Sequence, residues 1–148
     1  MHAIRIAQGP EYACGEDDTL LRAGLRAGLG MPYECNAGSC GTCKVELVEG
    51  EVHSLRPDAP GLSERDRAKN RVLACQARAA TDCAIKVRLR PENVPQHRPA
   101  KFKATLAGFR DLTHDMREFH FKAAPGSPGF PSIVTTSGST RWKFSVRR

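Results

Sequence analysis

The chain has 148 residues, of which 40% are hydrophobic, with six cysteines and a formal net charge of +7 at pH 7. That length suffices for one ordinary domain with a packed core, or for a small domain plus part of another. No run approaches the roughly 18 apolar residues that a membrane span needs, and Met1-His2-Ala3-Ile4-Arg5-Ile6 lacks the apolar stretch of a secretory leader, so a cytoplasmic chain with no membrane partner is expected. In a reducing compartment, clustered cysteines read as metal-binding rather than bridged. The positive charge sits at one end. Residues 1–90 hold 13 basic against 12 acidic side chains, and residues 91–148 hold 10 against 4. A basic excess confined to a solvated tail predicts no nucleic-acid partner.

In chain order, His2 to Ala7 alternates as a strand, Gln8-Gly9-Pro10 is turn chemistry, and Glu11 to Gly15 returns, which predicts an opening hairpin. Asp17 or Asp18 then offers an N-cap for a helix over Thr19 to Leu29, where Leu21, Leu25 and Leu29 share a face. Gly30-Met31-Pro32 ends it, and a cysteine-rich loop follows directly. Lys44 to Glu49 alternates as a strand, Glu51-Val52-His53 continues a sheet, and Leu62 to Lys69 is a short charged helix with Ser63 as N-cap. Arg71 to Ala74 leads to a further cysteine, and Asp82 to Arg90 is the clearest strand. Three prolines within Pro91 to Pro99 predict a linker without regular structure. Beyond it, Lys101 to Phe109 and Met116 to Phe121 alternate as two strands around a turn, and residues 125–148 have little core-forming content. The fold class expected is α+β, a mixed sheet with one main helix across it.

Six cysteines divide into two groups. Cys14 and Cys83 lie on predicted strands and read as small buried residues. Cys35, Cys40 and Cys43 form a Cys-x4-Cys-x2-Cys loop, and Cys75 stands alone a long way downstream. That order matches the ligand spacing of plant-type 2Fe-2S clusters, in which one tight loop delivers three thiolates from the same side. Gly38 and Gly41 let the loop turn sharply and bring backbone N–H groups to sulfur, and the Ser39 and Thr42 hydroxyls are further candidate donors. Such donors stabilise the negative charge added on reduction, around a potential on the order of −400 mV for this cluster class. The work is outer-sphere electron transfer, so no catalytic acid, base or nucleophile is needed. A structural zinc ion on the same four thiols is the competing reading, but zinc favours paired short knuckles over three thiols crowding one loop. The five histidines show no ligand spacing.

With Pro32-Tyr33-Glu34 before the loop, Lys44-Val45-Glu46 after it, and Leu73-Ala74-Cys75-Gln76, the chain resembles the plant-type ferredoxin family. It is most similar to the ferredoxin domain at the N-terminus of reductase components of bacterial aromatic-ring oxygenases acting on phenol, toluene, xylene or benzoate. The resemblance implies a β-grasp fold, with Cys35 and Cys40 on one iron and Cys43 and Cys75 on the other. It also implies a flavin-containing reductase as electron donor, an oxygenase component as acceptor, and a monomer. In such reductases a flavin-binding barrel and a nicotinamide-binding domain follow.

Four segments are therefore expected: a ferredoxin domain over 1–91, a Pro-rich linker over 92–99, the first two strands of a flavin barrel over 100–124, and an irregular or disordered tail over 125–148. The chain resembles a reductase truncated or frameshifted after about residue 124, with a natural short ferredoxin carrying an odd tail as the other reading. Only Arg141-Trp142-Lys143-Phe144-Ser145 approaches the family's flavin motif, with one residue too many, so FAD is not expected on this chain. An NADH-dependent flavoprotein reductase, as part of a longer chain, and a zinc-stabilised binding module using the basic tail are the alternatives. Glu34, Glu46, Glu49 and Glu51, near the loop in sequence, are candidates for steering a basic partner.

Overall fold

The computed structural model describes residues 1–100, 103–123 and 141–147. The chain divides into two compact units, Met1–Pro99 and Ala100–Arg148.

The first unit is built on β1 (His2–Ile6), β2 (Glu11–Cys14), β3 (Lys44–Glu49), β4 (Val52–Ser54), β5 (Arg71–Leu73), β6 (Ala77–Ala79) and β7 (Cys83–Lys86). Five of these strands form a mixed sheet in the order β2-β1-β7-β3-β5, while β4 and β6 make a separate ribbon. β1 and β7 run parallel and the other neighbours antiparallel. Alternation decides which side chains enter the core: in β1, Ile4 and Ile6 are buried and Arg5 is exposed. The core gathers Ile4, Leu20, Leu21, Met31, Val45 and Ile85. With one helix against it, the sheet is the mixed sheet with one main helix that the element order predicts, and the β-grasp, ferredoxin-like arrangement that the resemblance implies.

That helix, α1 (Leu20–Arg26), is shorter than the periodicity implies. Thr19 is its N-cap, accepting from the backbone N–H of Arg22, rather than Asp17 or Asp18. Asp18 is buried and forms an ion pair with Arg26, the last residue of the helix. Leu29 therefore packs on the core from beyond the helix end. There the chain meets the segment leaving β7 so closely that a Cβ on Gly30 would lie 1.9 Å from the Arg90 carbonyl oxygen. The Arg90 N–H donates to Gly30 O at 2.8 Å, a contact that glycine alone permits.

One strand is added and three further expectations are corrected. Ala77–Ala79 is a strand, paired with β4, although three short residues carry no readable period. β7 stops at Lys86 instead of Arg90, because Lys86 is the last residue with a ladder partner on β3. The proline-rich stretch is not without regular structure: Pro91–Asn93 forms a 3-10 turn, a place where proline's fixed φ is tolerated. Residues as far as Pro99 belong to the first unit, and the Pro99 carbonyl accepts from Arg26 Nε at 3.2 Å.

α2 (Glu64–Arg67) is one turn closed by a capping box, in which Ser63 and Asp66 exchange hydrogen bonds.

The second unit holds β8 (Ala104–Asp111), β9 (Met116–Ala123) and β10 (Arg141–Arg147), an antiparallel sheet in the order β10-β9-β8. The expectation of an irregular tail over 125–148 is thus corrected for Arg141–Arg147, which pair residue by residue with Lys122 back to Met116. Alternation of Trp142, Phe144 and Val146 with polar residues is the physical signal for that strand. The rest of that expectation, residues 125–140 and 148, lies outside the described residues. Among the described residues no helix is long and apolar enough to cross a membrane.

Candidate metal centre

Two kinds of structure bring the cysteines together. Cys43 directly precedes β3, and Cys75 follows β5, which lies beside β3 in the sheet with Lys44 opposite Leu73. Between them, Ala74 donates its N–H to Cys43 O at 3.0 Å and accepts at its own carbonyl from Leu21 of α1, also at 3.0 Å. Two backbone bonds through one buried alanine thus fix the separation of the two cysteines. Their sulfurs lie 3.3 Å apart, both residues buried. Burial raises the Cys43 thiol to about 12 in the cluster-free chain.

Cys35 and Cys40 are exposed, and the loop's own backbone arranges them. The N–H groups of Ala37 and Cys40 each donate to Cys35 Sγ at 3.4 Å, and the Thr42 N–H donates to Cys40 Sγ at 3.5 Å. These bonds favour the thiolate: the Ala37 amide first, then that of Cys40, hold Cys35 down at about 6. Positive φ at Asn36, Gly38 and Gly41 turns the loop so that consecutive amides face inward.

The supporting donors therefore differ in part from those read in the sequence. Ala37 and Cys40 supply amides that the sequence reading did not single out. Thr42 contributes its backbone N–H, while its hydroxyl donates to Glu34 Oε2 at 3.2 Å. Ser39 adds a backbone hydrogen bond toward Cys35, and Gly38 and Gly41 supply the left-handed turns.

A second segment, Leu55 to Leu62, braces the loop at Ala37 and Gly38. Arg56 Nη1 donates to Ala37 O at 3.1 Å, and the Gly61 N–H donates to Gly38 O at 2.9 Å. A Cβ on Gly61 would lie 2.7 Å from both Gly38 O and Gly41 N, so the two backbones touch there with no room for a side chain. Gln76 joins the two cysteine groups: its Nε2 reaches Asn36 O at 3.4 Å and Cys75 Sγ at 3.7 Å.

The base of the loop is anchored by charge. Lys44 Nζ sits 2.8 Å from Asp66 Oδ2, and Arg71 Nη1 lies 3.0 Å from Asp66 Oδ1. Hydrogen bonds from Lys44, then from Ser63 and Arg71, hold this carboxyl well below the usual carboxylate range. Sequence reasoning missed Arg56 and Gly61 and quoted Gln76 only within the family motif, because their contacts with Ala37, Gly38 and Asn36 join residues distant along the chain.

The other singled-out residues lie elsewhere. Cys14 and Cys83 are buried on β2 and β7, where burial pushes both thiols up. Glu49 bridges Arg5 at 3.1 Å, and Glu46 lies across the strands from Arg71 and Lys86. Among the described residues no three His, Cys, Asp or Glu side chains converge on one point as they would around a single metal ion. Two thiol pairs with amide donors turned toward sulfur are the donor set that a two-iron cluster takes, so the residues present fit that group.

Comparison with known proteins agrees. The family model described as "2Fe-2S iron-sulfur cluster binding domain" matches residues 5–80. The chain is 46% identical over 117 residues to the ferredoxin--NAD(P)(+) reductase CarAd of Metapseudomonas resinovorans, covering 78% of this chain and 36% of that one. It is 50% identical over 86 residues to the ferredoxin--NAD(+) reductase component of the alkene monooxygenase system of Xanthobacter autotrophicus, covering 57% of this chain and 26% of that one. The structure superposes on the ferredoxin reductase in carbazole 1,9a-dioxygenase with a TM-score of 0.87 and 35% identity, covering 99% of this chain and 52% of that chain. The chain thus spans about a third or less of the two curated relatives. Its cofactor is a 2Fe-2S cluster and its chemistry is the transfer of electrons. The chain belongs to the family of 2Fe-2S iron-sulfur cluster binding domains, in the form found among the reductase components of oxygenase systems.

Proposed function

We propose that Cys35, Cys40, Cys43 and Cys75 hold the cluster, Cys35 with Cys40 on one iron and Cys43 with Cys75 on the other. We further propose that the chain relays single electrons from a flavin-containing reductase to an oxygenase component. The observation that carries the ligand assignment is the pairing of the thiols: Cys43 and Cys75 with sulfurs 3.3 Å apart, Cys35 and Cys40 linked by the Cys40 N–H.

When bound, the cluster supplies a centre that takes up and releases one electron at a time. The protein's part is to make that charge change cheap and directional. Amides of Ala37, Cys40 and Thr42 point at sulfur before any electron arrives, so no reorganisation accompanies the added negative charge. Buried Cys43 and Cys75 exclude water from one side, and exposed Cys35 and Cys40 bring the other within reach of a partner.

Protein loaded with iron and sulfide should be red-brown and give the rhombic EPR signal of a reduced two-iron cluster. Rapid mixing should then show the cluster reduced by a flavin reductase and reoxidised by an oxygenase component. A colourless, zinc-loaded product would reject the assignment.

The names of the relatives favour a wider reading, in which this chain is a segment of an NADH-dependent flavoprotein reductase and the sheet after Ala100 begins a flavin-binding barrel. Bound flavin and NADH-driven cytochrome c reduction by the full-length gene product would support it. Their absence would reject it.

A further inference from the structure

Beside the cysteine loop, the unit Met1–Pro99 opens an apolar pocket of about 250 Å³. Leu47 of β3, Val52 of β4, Val72 and Leu73 of β5, and Leu62 ahead of α2 supply its apolar lining. Arg56, Arg67 and Arg71 also line it, and no carboxylate does. Each guanidinium is already held in place by one acceptor: Arg56 by Ala37 O, Arg67 by Pro57 O, and Arg71 by Asp66 Oδ1. A guanidinium has five N–H donors, so all three keep donors for a further acceptor. Arg56 and Arg67 are exposed, and Asp66 is engaged by Lys44 and Arg71.

Gln76 connects this pocket to the metal centre. It lines the cavity while its amide touches Cys75 Sγ at 3.7 Å and Asn36 O at 3.4 Å. Anything seated in the pocket thus lies one residue away from a cysteine sulfur.

We propose that this pocket docks the electron-accepting protein, through an apolar side chain flanked by carboxylates on that partner's surface. The apolar lining takes the side chain, and the arginines take the carboxylates as charge-assisted, bidentate pairs. Such an arrangement orients a short-lived encounter and raises its rate without demanding a large interface, as an electron-transfer complex requires. The proposal rests on the relay reading for the partner's identity and adds where the partner binds. It also reverses the sign of the steering expected from Glu34, Glu46, Glu49 and Glu51: the docking charge on this chain is positive.

The test uses the full chain with its cluster and acetylated peptides as probes, with binding read by calorimetry. Glu-Glu-Phe-Glu-Glu should bind saturably, and replacing its Phe by Ala, or its four Glu by Lys, should weaken binding at least fivefold. Arg67→Glu should weaken the Phe peptide at least fivefold and Lys86→Glu should leave it unchanged. Because Arg67 also holds the Pro57 carbonyl, Val52→Glu in the apolar lining is the second variant, with the same loss expected. Equal binding of the Phe and Ala peptides, no binding of the acidic Phe peptide, or insensitivity to both variants would overturn the proposal. Failure of the relay reading is separable: the reduced protein would then pass no electron to an oxygenase component, while peptide binding persisted.

Discussion

Cys35 and Cys40 are exposed and Cys43 and Cys75 are 2% and 3% exposed, yet all four are the proposed ligands of one cluster. The buried pair takes its geometry from the sheet, through β3, β5 and the two backbone bonds of Ala74. The exposed pair takes its geometry from a loop outside the strands, held by its own amides and by the backbone of the 55–62 segment. A core can position a side chain only where it surrounds it. On the side where a partner must approach, hydrogen bonds and close backbone contact do the same work without burying the site.

The largest effects should come from the buried pair. Replacing Cys43 or Cys75 by Ser should abolish the visible charge-transfer absorption, measured with iron and sulfide content after reconstitution. Leu73→Ala, beside that pair and 3% exposed, should lower stability by about 2–5 kcal/mol in urea unfolding, since it removes buried methyl groups from the core. Gly61→Ala should act on the exposed pair instead, costing about 1–3 kcal/mol because the added Cβ forces two backbones apart. Its distinguishing sign is a faster loss of the cluster to chelator and a shifted midpoint potential. A variant with unchanged cluster lifetime and potential would show that the 55–62 segment does not position the loop.

Asp66 offers a smaller, pH-dependent probe of the loop's base. Its folded pKa is depressed by Lys44 first, so its contribution is full above its unfolded pKa, about 4, and is lost as pH falls through the lower folded value. Asp66→Asn should therefore lower Tm at pH 7, and the gap to the parent should narrow below about pH 4. Thermal melts across that range check the sign. Finally, in cluster-free protein at pH 7, Cys35, held at about 6, should alkylate with iodoacetamide ahead of Cys43, held at about 12, and of buried Cys14 and Cys83. Peptide mass mapping at short times reads that order, and equal rates would erase the comparison between the two pairs.

The proposed ligand loop is legible in the sequence because its chemistry is local. Three cysteines within nine residues, interrupted by Gly38 and Gly41, state their purpose in their spacing. The opening hairpin and β3 were legible for a similar reason, since alternation over four to six residues is a property of neighbours. By residue type Asp17 or Asp18 is the expected cap, but Asp18 is taken up by Arg26 and Thr19 caps the helix instead. Ala77–Ala79 gave no signal because its residues become a strand only when Val52–Ser54 lies alongside. Arg141–Arg147 does alternate, but reads as a loose end until Met116–Lys122 is placed beside it.

By itself, then, the amino-acid sequence determined the thiols proposed as ligands, the turn that gathers three of them, and the class of electron-transfer chemistry. Tertiary structure alone decided which thiols are buried, which amides point at sulfur, and that Arg56, Gly61 and Gln76 touch the cysteine loop. The division has a physical cause. Ligand spacing within a loop depends on bond lengths and turns between near neighbours, whereas burial and contact between residues 38 and 61, or 36 and 76, exist only after the sheet has closed the chain on itself.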